Sequence, residues 1–264
     1  MRMVNIFKCH CEEQRDAANS PSFPRMAIAF FLTFLLITSA STGIYAAQKN
    51  APIEMTADTI EYDSTKGIMI AQGGVKLTQG SAIVTGAQAE YNTKTQEAYI
   101  TGGIKAVDGD TILTAAEVRS YNNTQLVATG DALLIKGDSR LAGPKIEYFS
   151  DRQYALVNGW AKLTTPDGVM TADQVEVFSG EDRALGKGNV HIVSDAHKLN
   201  ATSDQAVYYG AKASQNANKV ILSGNARAVQ DGNTLTGNTL TIYLDGKAME
   251  ASGGRNKLVI KPQN

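Results

Sequence analysis

Residues 82–109 read AIVTGAQAEYNTKTQEAYITGGIKAVDG. A small residue, Gly86, is followed five positions later by an aromatic, Tyr91, and sixteen positions later by Gly102. Apolar residues fall on alternate positions around Gly102, with Ala98 and Ile100 before it and Ile104 and Ala106 after it. Period two over about eight or nine residues predicts a strand with one buried face. A glycine in the middle of such a strand permits a bend or bulge that lets a sheet curl. The stretch closes on Asp108-Gly109-Asp110, a tight-turn signal.

The same spacing recurs along the chain. Seven small-to-apolar pairs can be aligned: Ala57 to Tyr62, Gly86 to Tyr91, Ala116 to Tyr121, Gly143 to Tyr148, Ala172 to Val177, Ser203 to Tyr208 and Gly237 to Ile242. The later glycine sits sixteen residues beyond the small residue at Gly73, Gly102, Gly159, Gly188 and Gly253, while Gly130 comes two early and Gly224 five late. Units of 27 to 34 residues that vary by loop insertion indicate a repeat architecture in which no unit closes a core alone. Each unit is expected to carry two or three short strands. Short Asp-Gly connections join antiparallel strands, so the units predict a long curled sandwich in preference to a parallel β-helix.

The chain has 264 residues, 43% of them hydrophobic, enough for a sizeable all-β core. With 25 basic against 26 acidic residues and a formal net charge of −1, nothing suggests an electrostatic grip on nucleic acid. Residues 27–40, AIAFFLTFLLITSA, form an apolar run behind Arg25 that has h-region length and is short for a bilayer span. Residues 1–47 are therefore expected to be a leader with a cleaved secretory signal, an uncleaved anchor being the other reading, and residues 48–264 a single domain of about seven repeats. Both cysteines, Cys9 and Cys11, fall in that leader, so the exported part is expected to hold no disulfide and no lipidated cysteine.

The units resemble the OstA-like family. The resemblance rests on IEMTADTIEYDSTKGIMIAQGGVKLTQG from Ile53, on the stretch from Ala82, on VILSGNARAVQDGNTLTGNTLTIYLDGKAMEA from Val220 and on the tail SGGRNKLVIKPQN from Ser252, and it spans Ile53 to Ile260. It implies an all-β, mainly antiparallel, curled β-jelly roll with an apolar interior groove. The implied function is that of a periplasmic lipopolysaccharide-binding protein carrying lipopolysaccharide from the inner to the outer membrane within a transenvelope bridge, with acyl chains inside and sugars in water. The implied partners are lipopolysaccharide, further copies joined head to tail, and the OstA-like modules of the inner-membrane export complex and the outer-membrane translocon. A structural or assembly β-solenoid, or an adaptor of the same export machinery, is the alternative.

The inward-pointing set, Tyr62, Val75, Leu77, Tyr91, Ile104, Leu134, Tyr148, Leu163, Val190, Ile192 and Tyr208, is either a dry core or the wall of a lipid groove. Periodicity alone favours a core. The resemblance favours a groove, as do the many interior alanines (Ala71, Ala106, Ala128, Ala132, Ala161, Ala226, Ala228), which fill space poorly. Trp160 falls out of phase, and is expected to face outward or lie at a rim. Catalysis finds little support: the exported part has His191 and His197 but no cysteine, no nucleophile elbow and no metal-ligand spacing. No enzyme activity, cofactor or metal is expected. The recurring acids, among them Asp58, Glu61, Glu90 and Glu147, read as outward structural positions, although a polysaccharide-acting β-helix enzyme would pair such carboxylates. Finally, Ile53, Met55 and Ile60 in a first strand and Leu258 and Ile260 in a last one mark two unprotected sheet edges, suited to β-augmentation.

Overall fold

One extra residue in every second strand sets the architecture. The computed structural model describes residues 53–122, 124–210, 218–244 and 248–261; the leader and its apolar run lie outside them. Two short strands, β1 (Ile53–Thr56) and β2 (Thr59–Asp63), pair with β3 (Ile68–Gln79). The chain then runs up and down through β4 (Ala82–Asn92), β5 (Glu97–Asp108), β6 (Thr111–Tyr121), β7 (Gln125–Lys136), β8 (Ser139–Phe149), β9 (Tyr154–Thr165) and β10 (Gly168–Phe178). After a 3₁₀ turn at Ser179–Glu181 come β11 (Arg183–Ser194), β12 (Leu199–Tyr209), β13 (Lys219–Gln230) and β14 (Asn233–Tyr243), the last pairing with β15 (Met249–Ser252) and β16 (Lys257–Val259). Among the described residues all pairings are antiparallel and join neighbours in sequence, except β1 with β3 and β14 with β16, and none joins β1 or β2 to β15 or β16, so the curled sheet stays open.

From β3 to β14 the odd strands have 12 residues and the even ones 11. The difference is a bulge. Gln72 pairs with Gln88 and Val75 with Gly86, so three steps on β3 oppose two on β4, and similar slips recur along the sheet. At the bulge of β5, Gly102 and Gly103 have φ of +86° and +76°, a left-handed conformation that side chains resist. On β7, β11 and β13 the second bulge residue is Asp131, Asn189 and Asn225, the residue types that tolerate positive φ best after glycine. Asn189 and Asn225 also donate to Asp173 (2.8 Å) and Asp204 (2.9 Å) on the neighbouring even strands, fixing the bulge side chains across the ladder.

The bulge turns each strand so that both halves face one interior. On β6, Leu113 and Ala115 are buried before the bend and Val118 and Ser120 after it, with Ala116 and Glu117 both turned outward between them. One cavity touches Leu141 and Tyr148 at the two ends of β8, and Ala155 and Leu163 at the two ends of β9. The strand halves thus form two walls. In register, the inner row of the first wall runs from Met55 through Leu77, Leu113, Leu134, Leu141, Leu163 and Ile192 to Leu258. That of the second wall runs from Tyr62 through Tyr91, Leu126, Tyr148, Val177 and Tyr208 to Met249. Between the rows Ile146, Leu222 and Leu240 are at most 1% exposed. Each contributes about 1.5–3 kcal/mol by leaving water.

Three sequence expectations are corrected here. The stretch Ile53–Ile60 is two strands interrupted at Ala57 and Asp58, where the Asp58 amide donates to the Gly73 carbonyl across the first bulge. The third unit is shifted by one: Ala115 and Ser120 occupy the interior, while Ala116 is exposed and Tyr121 faces outward, half-buried. The last strand is Lys257–Val259, leaving Ile260 just beyond it.

Candidate functional site

The apolar interior between the two walls is the candidate site. Of the residues expected to line it, Val75, Leu77, Tyr91, Ile104, Tyr148, Val190 and Ile192 are buried, and Leu134, Leu163 and Tyr208 are half-buried and packed against the core. Tyr62 departs from expectation at 48% exposure. Its register is interior, since it pairs with Met69, whose partner on β4 is the buried Tyr91. β2 is an edge strand, and among the described residues its sole strand partner is β3. The expected edge residues divide similarly: Ile60, Leu258 and Ile260 are exposed, Met55 packs against the core, and the Ile53 backbone pairs with Gln79. Trp160 stands 64% exposed beside Gly159.

The alanines named above are all at most 3% exposed, and none of them borders the two spaces that lie toward the strand ends. A cavity of about 160 Å³ lies between Leu134, Leu141 and Leu163 on the first wall and Tyr148, Ala155 and Val177 on the second. Its rim is polar, carrying Lys136, Ser139 and Thr111 on one side and Ser179 on the other. Leu163 also borders a crevice of about 30 Å³ that Met170, Ile192, Leu199 and Tyr208 help to line. There the seam between the walls is clasped. The Tyr208 hydroxyl and the Asn218 side-chain amide donate to Asp167, in the β9–β10 turn, at 2.7 and 3.3 Å.

Burial pushes the phenol pKa of Tyr91 and Tyr148 upward, the latter helped by the charge of Asp151. Tyr154 is pushed up to about 12, by burial first and then by its hydrogen bond to Glu176 at 3.0 Å. A folded-state pKa above the unfolded value stabilises the fold fully below the ordinary tyrosine value of 10.0, and that contribution is lost as pH rises through about 12. Circular dichroism should therefore record loss of sheet between these limits, together with late phenolate absorbance; ionisation of every tyrosine near pH 10 with the sheet intact would contradict it.

Sequence reasoning missed Leu141, Ala155 and Val177 as cavity wall, because it took only aromatics and residues following the glycine. It also missed Lys136, although the alternation Ala132, Leu134, Lys136 places it on the inner face. His191 is exposed, its Nε2 3.1 Å from Asn200 Oδ1, and among the described residues no group of three or more histidines, cysteines or acids is placed to hold a metal ion.

Residues 54–154, from β1 to the start of β9, match the family described as "LptA/(LptD N-terminal domain) LPS transport protein". Over these residues the chain is similar to that family. The strands beyond residue 154 repeat the same length alternation and bulge register without a break. No curated protein matches the chain. Among solved structures the chain is similar to the crystal structure of LptH, the LptA homologous periplasmic component of the conserved lipopolysaccharide transport device from Pseudomonas aeruginosa, with 16% identity over 82% of this chain and 99% of that one and a TM-score of 0.18.

Proposed function

We propose that the protein is a non-enzymatic periplasmic carrier of the OstA-like kind, which holds the acyl chains of lipopolysaccharide between its two walls and hands them along a bridge from the inner to the outer membrane. The observation that carries this reading is the pair of interior rows crossing every strand from Met55 to Leu258 and from Tyr62 to Met249. An acyl chain moving along them loses no burial from one strand to the next, and each buried methylene is worth about 0.8 kcal/mol. As it stands, the cavity of about 160 Å³ lies below the roughly 300–1,000 Å³ of a small-molecule site. Uptake therefore requires the walls to part, with release of the Asp167 clasp where it closes the seam. The implied partners are the OstA-like modules of the export complex and of the translocon, with copies of this chain joined end to end between them.

The same tight interior also supports a second reading, a structural β-sheet rod with a dry core, and one experiment separates the two. Leu134 borders the cavity and is only half-buried, so Leu134→Asp leaves the fold in place while setting a charge against the acyl path. Lipopolysaccharide binding is expected to weaken by about tenfold or more. Unchanged affinity in a folded variant, or absence of bound lipid in the wild-type protein, would leave the dry rod.

A further inference from the structure

The outward positions carry a charge pattern that the interior does not use. Lys76, between the buried Val75 and Leu77, faces out; its partner on β4 is Thr85, whose partner on β5 is Lys105, whose partner on β6 is Thr114. Leu133 and Ala142 interrupt the row on β7 and β8. It then resumes with Lys162, His191, Arg227 and Lys257 on the odd strands and β16, alternating with Thr171, Thr202 and Thr236 on the even ones. All six basic residues are exposed, and among the described residues none is in an ion pair.

Beyond the bend, the outer face of the second wall carries acids in its own row, Glu61 with Glu90 and Glu147 with Glu176. There the two central acids are compensated locally, by Lys145 and Lys187 at 2.6 Å. The near-neutral composition therefore conceals a basic line on one outer wall, in two runs separated by Leu133 and Ala142.

We infer that this line binds a linear anionic polysaccharide. Within each run the basic residues fall on every second strand, about 9.6 Å apart or twice the strand spacing, an interval close to that of a glycan with one acid per disaccharide, and Lys105 and Lys162 are separated by twice that interval across Leu133. The line crosses twelve strand steps, and a twist of about 20° per step turns it through roughly 240°. A planar membrane meets only a few of these rungs, whereas a flexible chain follows them all. The intervening threonines suit sugars as well. Thr85 and Thr236 donate to the carbonyls of Lys105 and Lys257 at 3.3 and 3.5 Å, which leaves their hydroxyl lone pairs for sugar hydroxyls.

Hyaluronate, with one carboxylate per disaccharide, is a suitable probe, titrated against the purified protein at several salt concentrations. The double variant Lys105→Glu, Lys162→Glu is expected to bind at least about tenfold more weakly, with a shallower salt dependence. The control Lys66→Glu, Lys198→Glu changes net charge equally at exposed turn positions off the line, and should bind within about twofold of wild type. Equal losses in the two doubles would reduce the effect to general electrostatics and overturn the proposal, as would an unaffected line variant. Binding to phosphatidylglycerol vesicles without binding to hyaluronate would overturn it in favour of a membrane surface. Neither double touches the interior, so acyl binding stands or falls separately.

Discussion

Gly102→Ala is expected to lower the unfolding free energy by about 3 kcal/mol or more, and Gly103→Ala, one residue along, by only about 1 kcal/mol. Both glycines hold positive φ, +86° and +76°, so both variants bear the left-handed strain of an L residue. They differ in what the new methyl meets. At Gly102 it would stand 2.2 Å from the Ala87 β-carbon and 3.1 Å from the Ala87 amide nitrogen, on a neighbouring strand that cannot move without breaking its ladder. At Gly103 nothing lies within 4 Å. Denaturant unfolding at constant m-value measures the difference, and Ala87→Gly in the Gly102→Ala background should recover most of it. Equal stability of the two single variants would mean that the bulges are not the close contacts that set the bend.

This contrast also explains how much of the fold could be read from the sequence. The glycines at sixteen-residue spacing announced the bend because left-handed φ and close backbone approach leave few alternatives to glycine. The small residues opposite were visible for a similar reason: a β-carbon on Gly86 would lie 2.7 Å from Ile100 Cγ2, and one on Gly143 2.3 Å from Val157 Cγ1. Where two small residues adjoin, at Ala115 and Ala116, either could fill the space. The aromatic at Tyr121 drew the alignment to the wrong one, and the buried Ser120 gave no apolar signal.

Coverage was the part sequence could not supply. Period two gives Tyr62 an inward register, yet burial depends on a further neighbouring strand, and among the described residues β2 pairs with β3 alone. The basic line on the outer wall was hidden for another reason. Its members lie 29 to 57 residues apart in sequence, and only the pairing register brings them into one row.

Growth of the protein into end-to-end rods, as proposed for the bridge, is expected to fall by about a hundredfold or more in association constant with Leu258→Asp or Ile60→Asp. A second copy continues the sheet when its β1 and β2 lie against β16 and β15 of the first, because this order preserves the antiparallel alternation. In that register the two interior rows run on unbroken, Leu258 meeting Met55 and Met249 meeting Tyr62. The join would cover Ile60, Tyr62 and Leu258, exposed by 47, 48 and 56% in the single chain. A carboxylate at Leu258 or Ile60 would be buried there unpaired, while in the separate chain it stays in water and leaves the fold intact. The outer row containing Glu61 ends at Glu250, so two like charges face each other across the junction. Glu250→Lys should therefore lengthen the rods where the other two variants abolish them. Concentration-dependent light scattering distinguishes the cases, and deletion of residues 253–264, which removes β16, should leave single chains. Rods that survive Leu258→Asp and do not respond to Glu250→Lys would require a junction other than the continued sheet.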